Sequence, residues 1–182
     1  MINRRTFIVT APVAAMLFSN EARATTYFTG ATVRQTLFPS ATSFIDRSVT
    51  LNPAQAKAIS KASNARVSKS KIAAWDAVGS SGKLGTMFID QVYGKHEFIT
   101  YAVALGPDGD VRQIEIMDYR ETYGDQIRIP KWRAQFTGKR HGQPLKINAE
   151  IKNISGATLS CVHITDGVRR LLATYALVIA RG

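Results

Sequence analysis

The sequence predicts an α+β fold, a single domain in which a twisted antiparallel sheet is covered by helices from both ends of the chain. Three observations lead there. The middle of the chain is a series of β-branched and aromatic runs separated by short links rich in glycine. Helix-patterned segments flank that middle on both sides. No repeat, low-complexity linker or shift in composition divides the 182 residues, and a 45% hydrophobic content suits one packed core rather than two.

The elements follow in order. Residues 30–38, GATVRQTLF, read as a short helix stopped by Pro39. Residues 43–51, SFIDRSVTL, partly alternate and read as a strand. Asn52 then caps a helix that has Pro53 at its first position and runs to Ser63. Four strands are expected at 72–78, 84–93, 96–105 and 111–119. Gly79 to Gly82 separates the first two, and Gly94-Lys95 is a tight link between the second and third. GPDGD, at 106–110, is a turn: Pro107 presets one dihedral and Gly109 permits a positive φ. Pro130 opens a short helix through Phe136 that Gly138 stops, and PLKINAEI reads as one more strand. The last segment is helical, with Val162, Gly167, Val168, Leu171, Leu172, Tyr175 and Val178 or Ile179 on one broad face and Arg169 and Arg170 off it.

Residues 1–24 read as a secretory signal rather than as fold. Arg4 and Arg5 precede a mostly apolar run, and Ala22-Arg23-Ala24 is a small-x-small end with cleavage expected after Ala24. NRRTFIV also resembles a twin-arginine export motif. The mature chain is then residues 25–182. No stretch reaches the ~20 apolar residues of a membrane span. Cys161 is the one cysteine, so no intramolecular disulfide forms, and an exported chain with one thiol is expected to bury it.

The formal charge is +11, and removing Arg4, Arg5, Arg23 and Glu21 leaves +9. Such a basic chain suits an acidic protein, an anionic lipid surface or an anionic cofactor. Nucleic acid is excluded as a partner, because the cations are scattered without an aromatic-interleaved stripe and the chain is read as exported. GKRHG, at 138–142, is the one basic cluster and reads as a solvated turn.

The stretch NISGATLS, at 153–160, carries the chemistry. Ser155-Gly156-Ala157-Thr158 is small at every position, so a bulky group can approach the backbone. A helix starts within a few residues, and its unpaired N–H groups and positive dipole end favour a phosphate. The Thr158 hydroxyl is an available ester point. Read by itself, the tetrad is also an ordinary helix start. Elsewhere the pattern is bland. Cys161-x-His163 is a poor metal site, and His96 and His141 form no ligand spacing with it. Asp118 and Glu121 flank Tyr119 without forming an acid/base couple, so no catalytic residue and no metal ligand is singled out.

SGATLS resembles the flavinylation motif of the FMN-binding domain family, which includes the covalent-FMN subunits of the sodium-pumping NADH:quinone oxidoreductase and of the Rnf electron-transport complex. RETYGDQIRIPKWRAQFTGK is similar to a second segment of that family through Glu121, Thr122, Gly124, Trp132, Gln135, Phe136 and Gly138. The likeness spans residues 84 to 178. Two positions depart from the pattern: Lys152 stands where the family usually has an acid, and Tyr123 replaces a proline.

The resemblance implies FMN joined through a phosphoester to Thr158, installed from FAD by an exported flavin transferase. It implies Ser155, Gly156, Ala157, Leu159 and Ser160 beside the attachment point, and Glu121, Thr122 and Gly124 shaping the ring pocket. The expected function is an exported, periplasmic flavoprotein that transfers electrons between redox partners such as a cytochrome or a membrane electron-transport complex, with peripheral membrane contact. Two other readings stay open. One is a module of the same fold that holds FMN or another ligand non-covalently, or that assembles a complex. The other is a small flavin-dependent reductase.

Overall fold

The protein is described by a computed structural model over residues 25–121 and 124–181. The signal assigned to residues 1–24, together with Thr122 and Tyr123, lies outside the described residues. Among the described residues, seven strands form an antiparallel sheet: β1 (Thr25–Thr26), β2 (Ser43–Asp46), β3 (Val49–Thr50), β4 (Lys71–Gly79), β5 (Gly82–Tyr93), β6 (Phe98–Leu105) and β7 (Val111–Tyr119). The spatial order is β1-β7-β6-β5-β4-β2, and β3 pairs with β4. The helices are α1 (Gly30–Leu37), α2 (Pro53–Ser63), a short α3 (Pro130–Arg133) and α4 (Thr158–Leu177).

β6 is buried along nearly its whole length, and its alternation divides the core. Ile99, Tyr101, Val103 and Leu105 join the larger cluster under α2 and α4. Ala102 and Ala104 join the smaller cluster with Val33 and Leu37 of α1. Each face of the sheet is therefore covered, as expected for helices drawn from both ends of the chain. Capping starts α1 and α2 sharply. Thr29 with Thr32, and Asn52 with Gln55, form reciprocal capping boxes, and Pro53 takes the first turn of α2.

A bulge in β7 aims one important side chain. Thr100 pairs with Asp118 and Tyr101 pairs with Ile116, so Met117 is an extra residue. Met117 turns to the smaller cluster, and the alternation resumes one residue later. Tyr119 thereby points to the α4 side, together with Ile114 and Ile116.

Four expectations need correction. Residues 43–51 are two short strands, because Asp46 accepts from the Ser48 N–H at 2.8 Å and this local turn interrupts the pairing. PLKINAEI is no strand of the sheet. Asn148 adopts a left-handed φ of 64°, and only a single bridge joins Ile147 to Ile151. The link between β5 and β6 is longer than Gly94-Lys95 and runs from Gly94 to Glu97. Arg170 is buried rather than set off the packed face: it reaches Asp90 at 2.6 Å and donates to the Arg66 carbonyl at 3.1 Å. Cys161 is buried as expected, and burial pushes its thiol pKa up.

Candidate functional site

The site forms where the β5–β6 turn, the end of β7 and the start of α4 converge. A cavity of about 290 Å³ is lined there by Lys95, His96, Glu121 and residues 156–160. Each wall has a local cause.

The first wall is the turn. The Gly94 N–H donates to the Glu97 carbonyl at 2.8 Å and closes it. The N–H groups of Lys95, His96 (2.7 Å) and Glu97 (3.1 Å) then converge on Glu121 Oε1. A Cβ at position 94 would collide with that same oxygen, so a larger residue there would displace the carboxylate. Burial disfavours ionising Glu121, but the three backbone donors outweigh it and hold its carboxyl below the usual glutamate value.

The second wall is the tetrad. Gly156 takes a φ of 85°, which only glycine adopts freely, and the Ala157 N–H donates to the Ile154 carbonyl at 3.0 Å. Ala157 is buried against Gly124. A Cβ on Gly124 would lie 2.8 Å from the Ala157 Cβ and 2.6 Å from Tyr119 Oη, so both residues are small because they touch. Ser160 is buried beside the Tyr119 hydroxyl at 3.4 Å. Burial raises the Tyr119 phenol pKa, against an opposing hydrogen bond from Ser160.

α4 begins at Thr158, and its N-cap, Ala157, provides no side-chain hydrogen bond. The tetrad is thus not a conventional side-chain cap: residues 158–160 line the cavity, and the N-cap side chain gives the first-turn N–H groups no oxygen. Thr158 and Leu159 are exposed on the rim.

Behind the tetrad, the chain is clamped. Trp132 Nε1–H donates to the Lys152 carbonyl at 2.8 Å, and Gln135 Oε1 accepts from the Lys152 N–H at 2.8 Å. Trp132 is buried and packs edge-on to Phe136 at 5.3 Å. Trp132 and Gln135 do not line the cavity; they fix the segment that leads to Thr158. The Lys152 side chain is exposed.

Of the residues singled out in the sequence, Glu121 and Gly156, Ala157, Thr158, Leu159 and Ser160 line one cavity. Gly124 supports it from behind through Ala157. Ser155 is exposed beside the cavity and does not line it, and Thr122 lies outside the described residues. Sequence reasoning missed Lys95 and His96, which reach the site through a turn that carries no motif. It also missed Asn153, whose Nδ2 donates to Thr158 Oγ1 at 3.0 Å. Its one signal was an Asn upstream of a helix start, which ordinarily means a backbone cap.

Residues 94–173 match the model of the FMN-binding domain family. Over that segment, a little under half of its length, the chain is similar to an FMN-binding domain. The segment opens on the Gly94 turn and takes in Glu121, Gly124, the clamp and the tetrad. Among solved structures, the crystal structure of Shewanella oneidensis NqrC aligns with a TM-score of 0.49 at 17% identity, over 81% of this chain and 83% of that one. No curated protein sequence matches the chain.

The cavity suits a phosphate group. The start of a 20-residue helix and Lys95 both line it, and each brings positive potential to it. Gly156 leaves the backbone bare, with nothing within 4 Å of the place a Cβ would take. Leu159, 45% exposed, offers an apolar surface beside it.

Proposed function

We propose that this protein is an exported electron carrier whose FMN is joined to Thr158 by a phosphoester. The observation that carries the reading is the position of Thr158. Its hydroxyl stands exposed at the first position of α4, on the rim of a cavity inside the segment that is similar to an FMN-binding domain. When bound, the flavin supplies the redox chemistry, and the protein supplies position and electrostatics. The α4 N-terminus and Lys95 stabilise the phosphodiester charge. Glu121 holds the β5–β6 turn in place as the facing wall, and Gly124 and Ala157 keep the tetrad close to Tyr119.

Covalent attachment suits a periplasmic protein, because FMN lost outside the cytoplasm is not readily replaced. The leader at residues 1–24 supports that location. Among the described residues no helix is long and apolar enough to cross a membrane. The net charge of +9 after the leader is removed favours an acidic redox partner such as a cytochrome, or an anionic membrane surface near an electron-transport complex.

The test is expression of the full chain in an exporting host together with a flavin transferase. The denatured protein should fluoresce in the gel, and its mass should exceed that of the unlabelled mature chain by one FMN less one water. Thr158→Ala should be dark. A second reading, non-covalent binding of FMN, is favoured by Lys152, which presents an exposed cation where the resemblance expects an acid. Wild-type protein that retains FMN after gentle purification but loses it on denaturation would establish that reading instead.

A further inference from the structure

We propose that Asn153 is the positioning residue for the Thr158 hydroxyl in flavin attachment, acting as a hydrogen-bond donor to the oxygen that becomes the ester. The inference rests on the covalent reading given above. Two independent observations carry it. The first is the contact itself, Asn153 Nδ2 to Thr158 Oγ1 at 3.0 Å, which reaches forward five residues to a side-chain oxygen. The second is that Asn153 Oδ1 is buried with no hydrogen-bond partner among the described residues. A buried, unpaired carbonyl oxygen is costly, and a side chain kept in that state calls for a reason other than stability.

The chemistry supplies the reason. A threonine hydroxyl rotates about its Cβ–O bond and has one proton and two lone pairs. With one lone pair engaged by the Asn153 N–H, the rotor is fixed, and the second lone pair and the proton are turned away from Asn153. In the attachment step Thr158 Oγ1 attacks the FMN-side phosphorus of FAD. The bond from that phosphorus to the bridging oxygen breaks, and AMP leaves with the electron pair. The hydroxyl proton passes to a base on the transferase, so FAD and the threonine yield the FMN ester, AMP and one proton. In the product the ester oxygen has no proton and can only accept, and the Asn153 donor remains matched to it. The backbone next to Asn153 cannot drift, because Trp132 and Gln135 hold both polar groups of the Lys152 backbone. Fixing a nucleophile in this way lowers the entropy lost on reaching the transition state.

The test is the rate of labelling of the full chain by a flavin transferase with FAD and magnesium, measured at varied protein concentration. Asn153→Ala should lower kcat about five- to tenfold, the size of one lost neutral hydrogen bond, with KM unchanged. Its melting temperature should hold or rise, since the unpaired Oδ1 is removed. Asn153→Asp is the directional control, because it keeps the shape but has no N–H to give. If the donor is what matters, Asp should label no faster than Ala. An Asp variant as fast as wild type or faster overturns the proposal, as does an Ala variant with unchanged kcat or with the loss confined to KM. The outcomes separate the two readings. Wild type labelled on Thr158 with indifferent Asn153 variants ends this proposal alone, whereas unlabelled wild type ends the covalent reading and this proposal with it.

Discussion

The first turn of α4 and its middle turns meet the rest of the protein in opposite ways. In the middle, Arg170 is buried and paired with a buried network on the sheet. Arg170, 8% exposed, reaches Asp90 at 2.6 Å, and the Tyr101 hydroxyl donates to the same carboxylate at 3.1 Å. Gly167 lies so close to Tyr101 Oη that any side chain there would collide with it. At the first turn, Thr158 and Leu159 face outward, and the Thr158 hydroxyl bonds to Asn153 in the preceding loop rather than into the core. One helix thus has an anchoring segment and a presenting segment. Stability and function should separate along it, and substitutions can test that separation.

The largest expected effect lies in the middle. Asp90→Ala would leave Arg170 buried without its counter-charge and the Tyr101 hydroxyl without its acceptor. A loss of about 3–5 kcal/mol is expected, read as a large drop in denaturant midpoint. The double variant Asp90→Ala with Arg170→Met should recover much of it, because the penalty comes from the stranded charge. If the single variant melts like wild type, α4 is not anchored through this pair.

Next comes Glu121, at the boundary between the two regimes. Glu121→Gln replaces an ionised acceptor of three N–H groups by a neutral amide oxygen and should cost about 2 kcal/mol at neutral pH. The pH dependence has a definite sign. The folded carboxyl titrates below its ordinary value of 4.5, so its contribution is present above that value and is lost as pH falls through the depressed one. Wild type should therefore lose stability in that acidic window faster than the Gln variant, and the gap between them should close. A constant gap down to acid pH would show that the turn does not depend on the charge.

Trp132→Phe should cost less, about 1 kcal/mol, because the ring still packs on Phe136 while the bond to the Lys152 carbonyl is lost. Its effect on flavin labelling should exceed its effect on melting, since that bond holds the loop leading to Thr158. In-gel flavin fluorescence at matched protein levels gives the comparison.

How much of this was legible in the sequence follows the range of the interactions. The strands at 84–93 and 111–119 and the Asn52-Pro53 helix start could be read because alternation and capping are local. The tetrad and the 121–138 segment could be recognised, and five of the six residues from Ser155 to Ser160 do line the cavity. The role of Trp132 and Gln135 as a clamp could not be read, because it needs Lys152 brought beside them from 17 or more positions away. Burial of Arg170 was hidden for the same reason, since Asp90 is 80 positions distant and a helical pattern cannot name a partner on a strand. The aim of Tyr119 depended on a bulge at Met117, which alternation alone would have placed on the wrong face.

The smallest stability effect is expected at the residue that matters most to the proposed chemistry. Thr158→Ala removes an exposed hydroxyl at the first position of α4 and puts a better helix former there. The hydrogen bond lost, to Asn153 Nδ2, lies at the surface end of the helix, so the two changes nearly cancel. The denaturant midpoint should move by no more than about 0.5 kcal/mol in stability, while covalent flavin disappears completely. Thr158→Ser should keep both properties, because it retains the oxygen and loses only a methyl group. If Thr158→Ala instead unfolds the chain, the first turn of α4 is part of the anchor after all, and an absent flavin signal would report lost structure rather than a lost ester point. The measurement is a urea titration of both variants beside wild type, on unlabelled protein, so that cofactor binding does not itself stabilise one of the three.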